Sequence, residues 1–248
     1  MPILMVNGEK FVSEFLLFDV DGTLVDDEDR YRALAALRFD AIAKRAGQRA
    51  AETWAPLGGY DFASKGLDMA GPIAKAARKE DMAIAAVAIY KNGKDWHDAR
   101  ALAEAAYADA DAIQMRDYTP KLYPGVEKRL RILKNAGFTL GIATNGSKKI
   151  TCELLSILKI QDQFSVVVGS EDVSNPKPAP DLLLAACRKA NASTTHTIYV
   201  GDQSVDAESA HSAEIPICVI VGKAQVRVSP SVRRVASVAD LGTHTRES

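Results

Sequence analysis

The sequence predicts an α/β protein: a parallel-sheet core covered by helices, with an α-helical module inserted after the first core strand. Three observations predict it. Apolar runs of strand length recur through the second half of the 248-residue chain, each separated from the next by a helical pattern. One more such run, Phe15–Phe18, stands alone near the N-terminus. Between it and the rest lies a long alanine-rich stretch with helical texture. The core is therefore expected over 1–25 and 119–248, and the inserted module over 26–118.

Asn7-Gly8 between Ile3–Val6 and Phe11-Val12 is a hairpin signature, read as a structural extension without chemistry. Phe15–Phe18 reads as a buried strand whose chain emerges at Asp19. The acidic run Asp26–Asp29 suits a helix N-terminus, and that helix is expected to stop at Gly47. Gly58-Gly59, Gly71-Pro72 and Asn92-Gly93 punctuate the module before a helix from Trp96 to Ile113, and no β-rich run is expected in it. After Pro120–Pro124 the alternation begins. Helices over 126–135, 148–158, 181–190 and 205–213 precede strands over 138–143, 164–168, 197–200 and 216–221. Such alternation puts ligands at the carboxyl ends of the strands.

Composition excludes several functions. Lysine and arginine number 31 against 32 acids, for a formal net charge of -1, so no basic excess marks a nucleic-acid binder. No apolar run is long enough to span a bilayer, and the N-terminus lacks the pattern of a signal peptide. Cys152, Cys187 and Cys218 are odd in number and far apart, as expected for free thiols in a reducing compartment; the cytoplasm is the expected location.

Four clusters fall where strands are expected to end. In Asp19-Val20-Asp21-Gly22-Thr23, carboxylates at i and i+2 can point the same way, and Gly22 permits a sharp turn. A plain Asp-Gly turn explains Asp21-Gly22 but not an acid, Asp19, at the end of a buried strand. In Thr144-Asn145-Gly146-Ser147, a hydroxyl and free N–H groups at a helix start suit an anionic oxygen, while capping by Ser147 is the ordinary alternative. In Asn175-Pro176-Lys177-Pro178-Ala179-Pro180-Asp181, three prolines stiffen the loop that carries Lys177; a surface lysine is the alternative. In Gly201-Asp202-Gln203-Ser204-Val205-Asp206, acids at i and i+4 around a strand-to-helix turn offer oxygen ligands to a hard cation, with helix capping as the alternative.

Together the stretches DVDGTLVD, IATNG, NPKPAPD and VGDQSVD, in that order and spacing, resemble the four motifs of the haloacid dehalogenase-like hydrolase superfamily. The chain is most similar to its phosphoglycolate phosphatase and β-phosphoglucomutase-like branch. The resemblance covers the core well and the insertion only in outline. It implies a Rossmann-like core with a helical cap, and a magnesium-dependent phosphatase acting through an aspartyl-phosphate. Asp19 would be the nucleophile and Asp21 the general acid and base. Thr144, Asn145 and Lys177, with Gly22 and Thr23, would bind the phosphoryl group. Magnesium would be held by Asp19, the Asp21 backbone carbonyl and Asp202, with Asp206 direct or through water. Lys65, Asp68 and Arg30 are the cap candidates for reading a small phosphorylated metabolite.

Asp21 matters for reaction type, because superfamily dehalogenases lack this second aspartate. The mutase-like alternative shares all four motifs. By a loose alignment, however, this chain has Met69 where the mutases carry an arginine for a second phosphate, and Tyr31 where they carry a histidine. A non-catalytic binding protein on the same fold is the remaining alternative. Two departures stand out: Glu214 replaces the usual turn glycine, and Gln203 follows the metal aspartate where Ser or Thr is common. Sequence leaves the substrate, and the choice between monomer and homodimer, open.

Overall fold

The computed structural model describes residues 1–117, 119–222, 226 and 229–244. The chain opens with an antiparallel hairpin, β1 (Ile3–Val6) and β2 (Glu9–Val12). Asn7 and Gly8 turn it with φ of 50° and 83°, as a two-residue primed turn requires. The core strand β3 (Phe15–Phe18) follows, buried at every residue. The chain divides into two compact units: Asp27–Thr119, and Met1–Asp26 with the residues from Pro120 onward.

The first of these is helical. It comprises α1 (Glu28–Ala46), α2 (Gln48–Gly58), a two-residue hairpin of β4 (Tyr60–Asp61) and β5 (Gly66–Leu67), α3 (Pro72–Lys75), α4 (Arg78–Lys91) and α5 (Trp96–Asp117). The β4–β5 hairpin was not expected; with two residues per strand it is no β-rich run and leaves no period to read. Alanines supply much of the buried surface, among them Ala35, Ala51, Ala55, Ala85, Ala88, Ala99, Ala103 and Ala106, so helix axes can approach closely around Trp54 and Tyr107. An ion pair is buried in this core. Arg38 bonds Asp81 and lies 4.2 Å over the Tyr107 ring, while Tyr107 Oη donates towards Asp81 Oδ1 at 3.0 Å.

The chain then continues through α6 (Val126–Asn135), β6 (Thr139–Ala143), α7 (Lys148–Ile157), β7 (Val166–Val168), α8 (Asp181–Ala190), β8 (Thr197–Gly201), α9 (Ser204–Ser212), β9 (Ile217–Val221), β10 (Val232–Val235) and β11 (Gly242–Thr243). Six strands form a parallel sheet in the order β10-β9-β8-β3-β6-β7, and β11-β1-β2 form a separate antiparallel sheet. The predicted parallel α/β core is present. The strand β10 was not predicted: its Val-Arg-Arg-Val run hides an edge strand, with Arg233 held by a two-pronged pairing to Glu9 at 2.8 Å for each prong.

Alternation sorts the central strands onto two buried faces. Leu16, Phe18, Leu140, Ile142, Ile198 and Val200 pack into one apolar cluster. Phe15, Leu17, Tyr199, Cys218 and Ile220 pack into the other. Phe15 is level with both Thr139 and Thr197, so β3, β6 and β8 run in register and finish at the same edge of the sheet. Asp19, Thr144 and Asp202 follow those three ends directly.

Candidate active site

The first strand end turns on a hydrogen-bonded loop. Asp19 extends the ladder by donating its N–H to Val200 O at 2.8 Å, and the N–H groups of Leu24 and Val25 close back on Val20 O at 2.8 and 3.0 Å. Gly22 has φ of 74°, and a Cβ there would lie 2.4 Å from Asp202 Oδ2. Both backbone conformation and space therefore demand glycine. Thr23, buried, donates from Oγ1 to Asp202 Oδ1 at 3.4 Å, so the first and fourth clusters touch.

The second cluster grips the third. Asn145 Oδ1 accepts the Lys177 N–H at 2.8 Å, and its Nδ2 donates to Lys177 O at 3.1 Å. This two-point clamp fixes the backbone that carries the lysine, a role sequence did not reveal. Thr144 is buried, and its Oγ1 accepts the Gly146 N–H at 3.1 Å. Ser147 occupies the position before α7 without capping it. The cap comes from Glu171, which accepts from the Lys148 N–H and from Ser147 Oγ, both at 2.9 Å. The expected capping by Ser147 is thereby corrected; a side chain 24 residues away does the work because its turn lies beside the helix start.

Lys177 is buried, with Nζ 3.0 Å from Asp19 Oδ1 and 2.7 Å from Asp206 Oδ1. It also donates to Tyr199 Oη at 2.9 Å. Asp206, fully buried, accepts the Asp202 and Gln203 N–H groups on Oδ2 at 3.0 and 2.9 Å. A Cβ at Gly201 would sit 2.4 Å from its carboxylate, so glycine is what lets Asp206 fold back under the turn. Asp206 is thus the counter-ion of Lys177 and the brace of the Asp202 loop at once. Glu214 takes φ of 57°, the left-handed conformation its place in the sequence foreshadowed.

Burial pushes the Asp19 carboxyl up to about 6; Lys177 pulls the other way, and the Asp206 charge adds to the rise. Burial works against the Lys177 ammonium, yet Asp19 and Asp206 outweigh it and hold its pKa above the ordinary lysine value. One oxygen from each of Asp19, Asp202 and Asp206 lies within 4.8 Å of the others. Asp19 Oδ1 is buried, and the approach of Lys177 to it is not aligned as a hydrogen bond. A compact all-oxygen set with this much negative charge fits a hard divalent cation.

The remaining candidates belong to the helical unit. Lys65 is exposed in the β4–β5 turn with φ of 56°. Asp68 shapes a turn, accepting the Ala70 N–H on Oδ1 at 2.9 Å and the Gly71 N–H on its carbonyl at 2.9 Å. Arg30 is buried, its guanidinium 5.0 Å from the Tyr31 ring centroid and its carbonyl accepting from Gln114 Nε2 at 2.8 Å. Among the described residues, no helix is long and apolar enough to cross a membrane.

Comparison with known proteins gives the family. The sequence pattern of the haloacid dehalogenase-like hydrolase family matches residues 76–220, more than half of the chain. The chain is 30% identical over 206 residues to a phosphoglycolate phosphatase of Shigella boydii, covering 80% of this chain and 77% of that one. It is 26% identical over 201 residues to a phosphoglycolate phosphatase of Pseudomonas putida, spanning 81% of this chain but 66% of the relative's length. Among solved structures, CbbY from Rhodobacter sphaeroides in complex with phosphate shares the fold at 21% identity, with a TM-score of 0.60 over 92% of this chain and 95% of that one. The chain belongs to the haloacid dehalogenase-like hydrolase family.

Proposed function

We propose that this protein is a magnesium-dependent phosphatase that hydrolyses a small phosphorylated metabolite, phosphoglycolate- or sugar-phosphate-like, through an aspartyl-phosphate on Asp19. The observation that carries this reading is the buried lysine between two acids: Lys177 Nζ stands 3.0 Å from Asp19 and 2.7 Å from Asp206, at the edge where β3, β6 and β8 end. A cation there binds the anion and keeps the nucleophile ionised.

In the first displacement an Asp19 oxygen forms a bond to phosphorus while the bond to the leaving alcohol breaks. Asp21, as the acid, gives its proton to the departing oxygen. In the second, Asp21 as carboxylate takes a proton from water, whose oxygen bonds to phosphorus. The bond to Asp19 breaks, restoring its carboxylate and releasing inorganic phosphate. Lys177, Thr144 Oγ1 and the N–H groups near Asn145, beside the Gly22-Thr23 turn, hold the phosphoryl oxygens. Asp19, the Asp21 carbonyl and Asp202 would hold Mg²⁺, whose charge offsets the repulsion between anionic nucleophile and anionic ester. Asp206 would help hold the ion directly or through water; Lys177, Tyr199 and two backbone N–H groups already engage both its oxygens.

Substrate choice is assigned to the helical unit, with Lys65, Asp68 and Arg30 the first residues to substitute. The relatives named phosphoglycolate phosphatase support a small phosphorylated acid. The cytoplasm is the proposed location, in keeping with three free cysteines.

The test is phosphate release from a panel of phosphorylated metabolites, including 2-phosphoglycolate and hexose phosphates, with and without Mg²⁺. Release that needs both Asp19 and the metal is expected. Release that survives Asp19→Asn and chelation together rules the mechanism out, and isomerisation of a hexose 1-phosphate without net release favours the mutase reading.

A further inference from the structure

We infer that Tyr199 is a positioning residue that ties three of the four site segments together and sets where the Lys177 ammonium stands. The inference rests on the phosphatase reading for its catalytic consequence, but the geometry is independent of that reading. Tyr199 lies on β8 level with Leu17 of β3, two residues short of the end of its strand. Its side chain is fully buried on the same sheet face as Phe15 and Leu17, so its ring is core while its hydroxyl reaches the edge.

The hydroxyl makes three contacts there. It accepts from Lys177 Nζ at 2.9 Å. It faces two acceptors, Ala143 O at 3.0 Å and Asp206 Oδ1 at 3.1 Å. Ala143 is the last residue of β6 and precedes Thr144, so a single phenol touches the hydroxyl-bearing segment, the lysine loop and the metal-side acid. Burial, with the Asp206 and Asp19 charges, pushes its pKa well above that of an ordinary tyrosine, so the phenol stays protonated.

Proton counting makes the role specific. A lysine ammonium has three N–H donors. Three oxygens surround Nζ: it donates to those of Asp206 and Tyr199 and faces that of Asp19 as an ion pair. Two of these are charged and would draw the ammonium along the line between them. The neutral phenol is what fixes it in the third direction, anchored from β8. The phenol has one proton for two acceptors, so its bond to Asp206 strengthens only as its bond to Ala143 O weakens. Without the hydroxyl, the ammonium keeps its charge partners and loses its placement, while Ala143 O and Asp206 each lose a possible donor in a buried setting.

The experiment compares wild type with Tyr199→Phe and Thr197→Val. Thr197 sits on the same face of the same strand, and its Oγ1 donates to Ser193 O at 2.7 Å and contacts Cys187 Sγ at 3.6 Å, away from the site, so its valine variant measures what losing a side-chain hydroxyl from this strand does by itself. Two readouts are taken: Mg²⁺-dependent turnover of 4-nitrophenyl phosphate, and the Lys177 ammonium signal in ¹⁵N-lysine-labelled metal-free protein, assigned by its loss in Lys177→Met. In wild type and Thr197→Val the ammonium signal is expected to be slow-exchanging. In Tyr199→Phe it shifts and exchanges faster, and kcat falls on the order of tenfold with KM changed less. An unchanged signal in Tyr199→Phe overturns the hold of Tyr199 on Lys177, whatever the turnover. A changed signal with unchanged kcat overturns the positioning role. Equal losses of kcat in both variants reduce Tyr199 to a structural residue. A wild-type protein whose Lys177 signal is averaged away by solvent overturns the inference without any variant. A wild type silent towards every phosphate ester, with the signal changed in Tyr199→Phe, overturns the phosphatase reading instead.

Discussion

Gly22 and Asp202 stand so close that a single methyl group at the glycine would lie 2.4 Å from the aspartate's Oδ2. The first and fourth clusters are therefore packed against each other as well as near in space, and the contact holds Asp202 towards Asp19. Gly22→Ala meets this clash and also a φ of 74° that a side chain resists. A loss of roughly 2 kcal/mol in unfolding free energy is expected. Mg²⁺ affinity, read by calorimetry on the folded variant, should fall at least tenfold because Asp202 must move.

Lys177→Met leaves Asp19 and Asp206 as buried carboxylates without their cation. The expected cost is about 3–5 kcal/mol near neutral pH. The pH dependence follows from Asp19, whose folded value of about 6 exceeds its ordinary one of 3.8. A carboxyl raised in the folded state gives stability that is complete below its unfolded pKa and lost as pH rises through the folded pKa. The Lys177 charge restrains that rise, so its removal pushes the loss to higher pH and deepens it. Thermal unfolding of metal-free protein between about pH 4 and 8 should show the variant's deficit shrinking as pH falls.

Asp172 works in the opposite sense. Burial raises its carboxyl, but the Gly169 N–H together with Lys189 and Lys148 outweighs burial and holds it below the usual carboxylate range. A depressed carboxyl stabilises the fold above its unfolded pKa, and that stability disappears as pH falls through the folded value. Asp172→Asn is expected to cost about 1 kcal/mol at neutral pH and next to nothing at about pH 3, by urea unfolding.

The helical unit offers a prediction of its own. Arg38→Met strands Asp81 in an alanine-lined core and should cost about 3–5 kcal/mol. Arg38→Met with Asp81→Leu removes both charges together and should recover more than half of that loss, by denaturant unfolding of the two variants in parallel.

How much of this was legible in the sequence depends on what each residue's neighbours are. Asp19, Thr144 and Asp202 stood out as candidates because each is a polar residue directly after an apolar strand, and Lys177 because prolines stiffen its loop. The parallel core was readable for a related reason, since apolar runs spaced by helices have few other solutions. Tyr199 could not be read. Inside Ile198-Tyr199-Val200 it looks like any core aromatic, and only the register of β8 against β3 brings its hydroxyl to the lysine. Asn145 and Glu171 were hidden likewise, because their partners lie 32 and 23 or 24 residues away across loops. β10 was hidden by two arginines, of which Arg233 is matched at the sheet edge by Glu9.

The covalent step on Asp19 is tested most directly by rapid acid quench during turnover of a released-phosphate substrate, followed by peptide mapping by mass spectrometry. One phosphoryl group on the peptide that contains Asp19, absent from Asp19→Asn, is the predicted result. Turnover with no phosphorylated peptide under conditions that preserve an acyl phosphate, or a phosphoryl group on any other residue, would contradict it.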